Sequence, residues 1–132
     1  MSEKLSVSSQ FYLALENSLC KDYVTEKFWK VLPYNVIPVV LSGANMSRFA
    51  PPHSYIAMTD FPSISKLADY MLSVAADDAL FASYFWWRQF YRVERSDYRA
   101  AYCALCAALH DSARPPAVIS DLAGWWKGQA AC

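Results

Sequence analysis

Phe11-Tyr12-Leu13-Ala14-Leu15-Glu16-Asn17-Ser18, followed shortly by Asp22-Tyr23-Val24-Thr25-Glu26-Lys27, decides how the rest of this chain is read. Gln10 to Leu15 is an apolar run with strand character, and it ends in a polar cluster of Glu16, Asn17 and Ser18. From Asp22 to about Leu32 the sequence predicts a helix, with Tyr23, Glu26, Lys27 and Lys30 spaced at i, i+3, i+4 and i+7. Pro33 stops it, because the residue before a proline is pushed out of helical geometry. A strand that hands over to a helix in this way gathers polar side chains at one edge of the sheet. Open α/β sheets bind their ligands at that edge.

The downstream pattern repeats the alternation. Val36-Ile37-Pro38-Val39-Val40-Leu41 is β-branched and continuously apolar, which predicts a parallel strand covered on both faces. Its proline falls near the start, where a missing N–H matters least. Asn45 to Phe49 reads as a short helical turn and Tyr55 to Met58 as a third strand. A helix is predicted over about Ile64 to Ala75, with Ile64, Leu67, Ala68, Met71 and Leu72 on one face. Further helices are predicted over Asp77 to Tyr91, over Asp97 to His110 with a stripe of Tyr98, Ala101, Tyr102, Leu105, Ala108 and Leu109, and in a last short stretch ending near Trp125-Trp126. Residues 1–9 are polar and aperiodic, a frayed lead-in. The order is that of an α/β fold with a three-stranded parallel sheet, helices on both faces and a helical C-terminal tail.

Composition narrows the function classes. The chain has 132 residues, 55% hydrophobic and 18% charged, which suits one globular domain with a real core. Twelve basic residues balance twelve acidic ones, so there is no electrostatic reason to expect nucleic acid as a partner. No apolar run approaches the ~20 residues needed to span a bilayer. The uncharged stretch from Val31 to Asn45 is interrupted by Pro33 and Pro38. Met1-Ser2-Glu3-Lys4 lacks the features of a signal peptide. Taken alone this describes a soluble domain, whereas four cysteines suit an oxidising compartment, and an upstream segment would reconcile the two.

The residues at the predicted sheet edge have a chemistry of their own. Glu26 offers two acceptor oxygens suited to the vicinal hydroxyls of a ribose, and Lys27 an ammonium suited to a diphosphate. Tyr23 adds a ring face and a hydroxyl, and Asn17 an amide that donates and accepts. A glycine-rich phosphate loop is absent. The plain alternative is that Glu26 and Lys27 are solvated charges and Tyr23 is core.

The wording of these segments, Leu15-Glu16-Asn17-Ser18, Asp22-Tyr23 with Thr25-Glu26-Lys27, and Pro38-Val39-Val40, resembles the donor-binding signature of the α-1,3-fucosyltransferases, glycosyltransferase family ten. The resemblance runs from about Phe11 to Trp126. It implies that Asn17, Tyr23, Glu26 and Lys27 line a GDP-fucose pocket, with Glu26 on the ribose and Lys27 on the pyrophosphate. Leu15 departs from the family's usual phenylalanine. The family's architecture, called GT-B, pairs two Rossmann-like domains, and residues 1–132 correspond to the C-terminal, GDP-fucose-binding one. The acceptor domain, the catalytic base and a further arginine would lie upstream, so the base is not assignable here. The implied activity is inverting transfer of L-fucose to an N-acetylglucosamine hydroxyl of a glycan, on the lumenal side of the Golgi membrane, without metal or other cofactor. A non-catalytic nucleotide-sugar-binding pseudoenzyme or truncated paralogue is the alternative, and a homo-oligomer is a possible assembly.

Cys103 and Cys106 stand at i and i+3 of a predicted helix, near enough for a bridge if the helix end distorts. Zinc would need two further ligands from His53, His110, Cys20 and Cys132, none in a second paired motif, and a redox pair would sit at a helix start. The resemblance implies a structural Cys103–Cys106 disulfide. His110 is expected to cap its helix, His53 to lie in a loop, and one tryptophan of each pair, Trp86-Trp87 and Trp125-Trp126, to enter the core.

Overall fold

A computed structural model describes residues 9–94, 98–115 and 117–130. The predicted lead-in before residue 9, Asp97 at the expected helix start, and Cys132 lie outside the described residues. Three parallel strands, β1 (Phe11–Leu15), β2 (Ile37–Leu41) and β3 (Ile56–Ala57), form one sheet in the order β1-β2-β3. Phe11 pairs with Ile37 and Leu15 with Leu41, so the two longer strands end level at their carboxyl edge.

Strand alternation sorts the core into two layers. Ala14 and Val40 face a cluster with Phe28, Leu32, Met46, Ala50 and Trp87. Ile37, Val39 and Ile56 face the opposite cluster, made with Leu67, Val74 and Tyr84. The first face is covered by α1 (Glu26–Trp29) and by two 3-10 turns, Met46–Arg48 and Trp86–Gln89. The second is covered by α2 (Ile64–Ala76) and α3 (Asp78–Ser83). This is the parallel sheet with helices on both faces that the alternation of segments predicts.

Two predicted helices are shorter than expected. Asp22 adopts a left-handed φ of 57° and Thr25 is extended (φ −108°, ψ −177°), and a right-handed helix contains neither, so α1 begins only at Glu26 and lasts one turn. The predicted Asp77–Tyr91 helix divides at Tyr84–Phe85 into α3 and the Trp86–Gln89 turn. There the Arg88 guanidinium, half-buried over the Phe85 ring at 4.5 Å, donates to Asn35 Oδ1 (2.7 Å), the Leu32 carbonyl (3.0 Å) and the Tyr34 carbonyl. Those contacts fasten the turn to the α1–β2 connection, which a continuous helix could not reach. Asp77 caps α3 by accepting from the N–H groups of Ala79 and Leu80. Trp87 enters the core as expected of one member of its pair.

Two helices follow, α4 (Tyr98–His110) and α5 (Leu122–Ala130). None of the α4 side chains is buried. Trp125 and Trp126 are both exposed, against the expectation that one would be core. His110 Nδ1 lies 2.8 Å from the Cys106 carbonyl, the C-terminal capping contact expected of it. Cys103 and Cys106 are exposed free thiols, which corrects the expected disulfide. The bridge needed a distorted helix end, and α4 instead continues regularly past Cys106 to His110. Cys20, by contrast, is buried and is not a free thiol.

Candidate functional site

The level ends of β1 and β2 bring two loops together at the carboxyl edge of the sheet, residues 16–25 after β1 and residues 42–45 after β2. The Glu16 N–H donates to the Leu41 carbonyl at 3.1 Å and extends the ladder by one residue. Ser42 Oγ then donates to the Tyr23 carbonyl (3.0 Å) and accepts from the Ala44 N–H (3.1 Å). Gly43 sits directly under the first loop: a Cβ there would fall 2.1 Å from the Leu19 carbonyl oxygen and 2.8 Å from that of Cys20. Only glycine permits that approach. Arg48 closes the outer side, with its guanidinium 3.3 Å from the Asp22 carboxylate.

Inside this corner the Glu16 carboxylate accepts the Thr25 N–H (2.7 Å) on one oxygen, and the Thr25 hydroxyl (2.7 Å) on the other. Lys27 Nζ approaches the same second oxygen at 3.4 Å and the Thr25 hydroxyl oxygen at 3.3 Å. The Glu16 side chain is 2% exposed. Burial alone would raise its pKa, but the hydrogen bonds from Thr25 and the nearby Lys27 ammonium outweigh that and hold the carboxyl below its usual range. Glu16 is therefore ionised at neutral pH.

Of the four residues expected to bind a ligand, Asn17 is exposed immediately after β1, and Tyr23 is half-buried in the loop with its carbonyl tied to Ser42. Glu26 and Lys27 open α1 and diverge, since successive helical residues point about 100° apart. Lys27 turns to Glu16, while Glu26 is exposed on the rim of a cleft of about 1250 Å³. Tyr12, Trp29, Lys30, Arg48 and Trp87 also line that cleft, on the α1 side of the sheet. Its walls are aromatic and its charges include several cations, a combination that accepts a base and phosphates.

Sequence reading missed Thr25, Ser42 and Gly43, and gave Glu16 no role beyond its place in a polar cluster. A signal existed in the carboxylate placed directly after an apolar strand and in the Ser-Gly pair directly after the next. Their partners lie 9 to 24 positions away, a distance that no local pattern spans.

His53 Nε2 lies 2.9 Å from Ser83 Oγ, the spacing of a nucleophile and its base. The Ser83 hydroxyl, however, donates to the Leu80 carbonyl at 2.6 Å, so His53 must donate to Ser83 and takes no proton from it. Its ring stacks on Tyr84 at 4.0 Å, a structural role in a loop, as expected of His53. Among the described residues no group of three His, Cys, Asp or Glu side chains is arranged to hold a metal ion.

The family model for glycosyltransferase family 10 (fucosyltransferase), C-terminal part, matches residues 1–125, and so contains the whole corner. The chain belongs to this family. Its relatives include α-(1,3)-fucosyltransferase C of Drosophila melanogaster, 48% identical over 126 residues that cover 94% of this chain and 29% of the relative. Glycoprotein 3-α-L-fucosyltransferase A of the same organism is 40% identical over 136 residues, 98% of this chain and 26% of that one. Human α-(1,3)-fucosyltransferase 4 is 40% identical over 122 residues, 89% and 23% respectively. The chain thus spans between 23% and 29% of the length of these three relatives. No helix among its described residues is long and apolar enough to cross a membrane.

Proposed function

We propose that the corner at the ends of β1 and β2 binds GDP-fucose, and that the whole protein transfers L-fucose from it to an N-acetylglucosamine hydroxyl of a glycan with inversion at the anomeric carbon. The observation that carries this reading is the position of the family match, which runs unbroken through a corner built at the carboxyl edge of a parallel sheet. Glu26, exposed on the cleft rim, would take the ribose hydroxyls, and Lys27 the diphosphate. Tyr23 and Asn17 would border the nucleotide sugar. One helical turn has little macrodipole, so the charge of the departing diphosphate would be met mainly by Lys27. A base acting on the acceptor would come from an N-terminal acceptor domain, paired with this one in a GT-B arrangement in the Golgi lumen.

By itself the chain is expected to transfer nothing and to bind GDP weakly. A diphosphate clamp lacking one charged ligand loses on the order of 1.5–3 kcal/mol, roughly ten- to hundred-fold in affinity. In a longer chain that includes the acceptor domain, Lys27→Ala should abolish most fucosyl transfer while leaving the fold intact, with a lowered melting temperature because Glu16 loses its ion-pair partner. Near wild-type turnover would overturn the assignment of Lys27, and fucosyl transfer by the 132-residue chain alone would overturn the division of labour.

A further inference from the structure

We infer that Glu16 and Thr25 form a clasp that pre-shapes the donor loop, which makes Glu16 a positioning residue. The inference rests on the proposed donor site and adds to it Glu16 and Thr25, acting through the residues they hold. The clasp joins the end of β1 to the start of α1 through two hydrogen bonds of 2.7 Å to one buried carboxylate. Everything assigned to the donor lies between the two residues or directly after them: Asn17 and Tyr23 in the loop, Glu26 and Lys27 beyond it.

Thr25 supplies the second argument. It occupies the N-cap position of α1, with φ −108° and ψ −177°, where a threonine hydroxyl ordinarily accepts from the first helical turn. Here it makes no such cap. The hydroxyl donates to Glu16 and accepts from Lys27 instead, so the helix forgoes its cap in favour of the clasp. Lys27 is the third member: its ammonium rests on both clasp residues, and its long side chain is spared rotamer entropy when a phosphate arrives. Against this, the Glu16 charge partly offsets that of Lys27, so neutralising it could strengthen phosphate binding. The two effects have opposite signs, and that makes the test decisive.

The experiment titrates GDP into the purified chain and into Glu16→Gln, Thr25→Val, Thr25→Ser and the Glu16→Gln/Thr25→Val pair, at temperatures where melting curves show each fully folded. Gln keeps an acceptor for Thr25 but drops the charge, Val keeps the shape of Thr25 but drops the hydroxyl, and Ser keeps the hydroxyl. A clasp predicts about tenfold weaker GDP binding for Glu16→Gln and for Thr25→Val. It further predicts no added loss in the pair and an affinity within about twofold of wild type for Thr25→Ser. Unchanged or tighter binding in either single variant, or additive losses in the pair, would overturn the clasp and leave the donor site standing. If the wild-type chain shows no GDP binding at millimolar nucleotide, the donor site falls and the clasp's role falls with it.

Discussion

α2 and α4 are each 13 residues long and each carries an apolar stripe, yet they end in opposite environments. α2 buries Leu67 and Val74 against the sheet, while α4 leaves Tyr98, Tyr102, Leu105 and Leu109 between 55% and 76% exposed. The difference lies in their neighbours rather than in their patterns. α2 meets the Ile37–Val39–Ile56 face of the sheet, and α4 has no apolar surface over it among the described residues. Periodicity states what a helix is able to bury, and the fold decides whether it does. β1 repeats the lesson on a smaller scale, with Ala14 2% exposed on one face and Leu13 59% exposed on the other.

Stability measurements sharpen this contrast. Phe28→Ala, at a site 1% exposed between α1 and the sheet, should cost about 3–5 kcal/mol in urea unfolding. Leu67→Ala on α2 should cost about 2–4 kcal/mol, and Leu105→Ala on α4 no more than about 0.5 kcal/mol. Equal costs at Leu67 and Leu105 would break the comparison, because they would mean that α4 is packed in solution. Between these extremes, Gly43→Ala should cost about 1–3 kcal/mol, since the new methyl meets the Leu19 carbonyl. It should shift the amide resonances of the 16–25 loop more than those of α2. Loop resonances that stay in place would show that the close approach is absent.

The acid limb of the stability curve probes the corner more gently. Glu16 has a lowered pKa in the folded chain, so its contribution is complete above the ordinary carboxylate range and is lost as pH falls through the lowered value. Wild type should therefore lose more stability than Glu16→Gln between about pH 5 and pH 2. Parallel curves for the two would show that the Thr25 and Lys27 contacts do not outweigh burial.

Much of this architecture was legible because it is local. Apolar runs bounded by Pro33 and by the polar cluster at Glu16 mark the strands, and the continuous apolarity of Val36 to Leu41 marks a sheet covered on both sides. Helix boundaries were less legible where the tertiary structure overrides propensity. Asp22 is held left-handed next to Arg48, 26 positions away, and Arg88 bends the chain toward carbonyls more than 50 positions away. The clasp was invisible for the same reason: each of its residues is an ordinary strand-end acid or helix-start threonine until the strands align. Cys103 and Cys106 show the opposite error, where the family resemblance implied a bond that the regular continuation of α4 does not make.

The most direct test of the central claim, that this corner rather than the exposed tail meets the donor, is a two-dimensional NMR titration of the isotopically labelled chain with GDP. Saturable shifts are expected to be confined to residues 16–27, the 42–48 segment and the cleft lining around Trp29, Lys30 and Tyr98, with the rest of α4 and all of α5 unmoved. Saturable shifts centred on α4 and α5, with the corner silent, would contradict it.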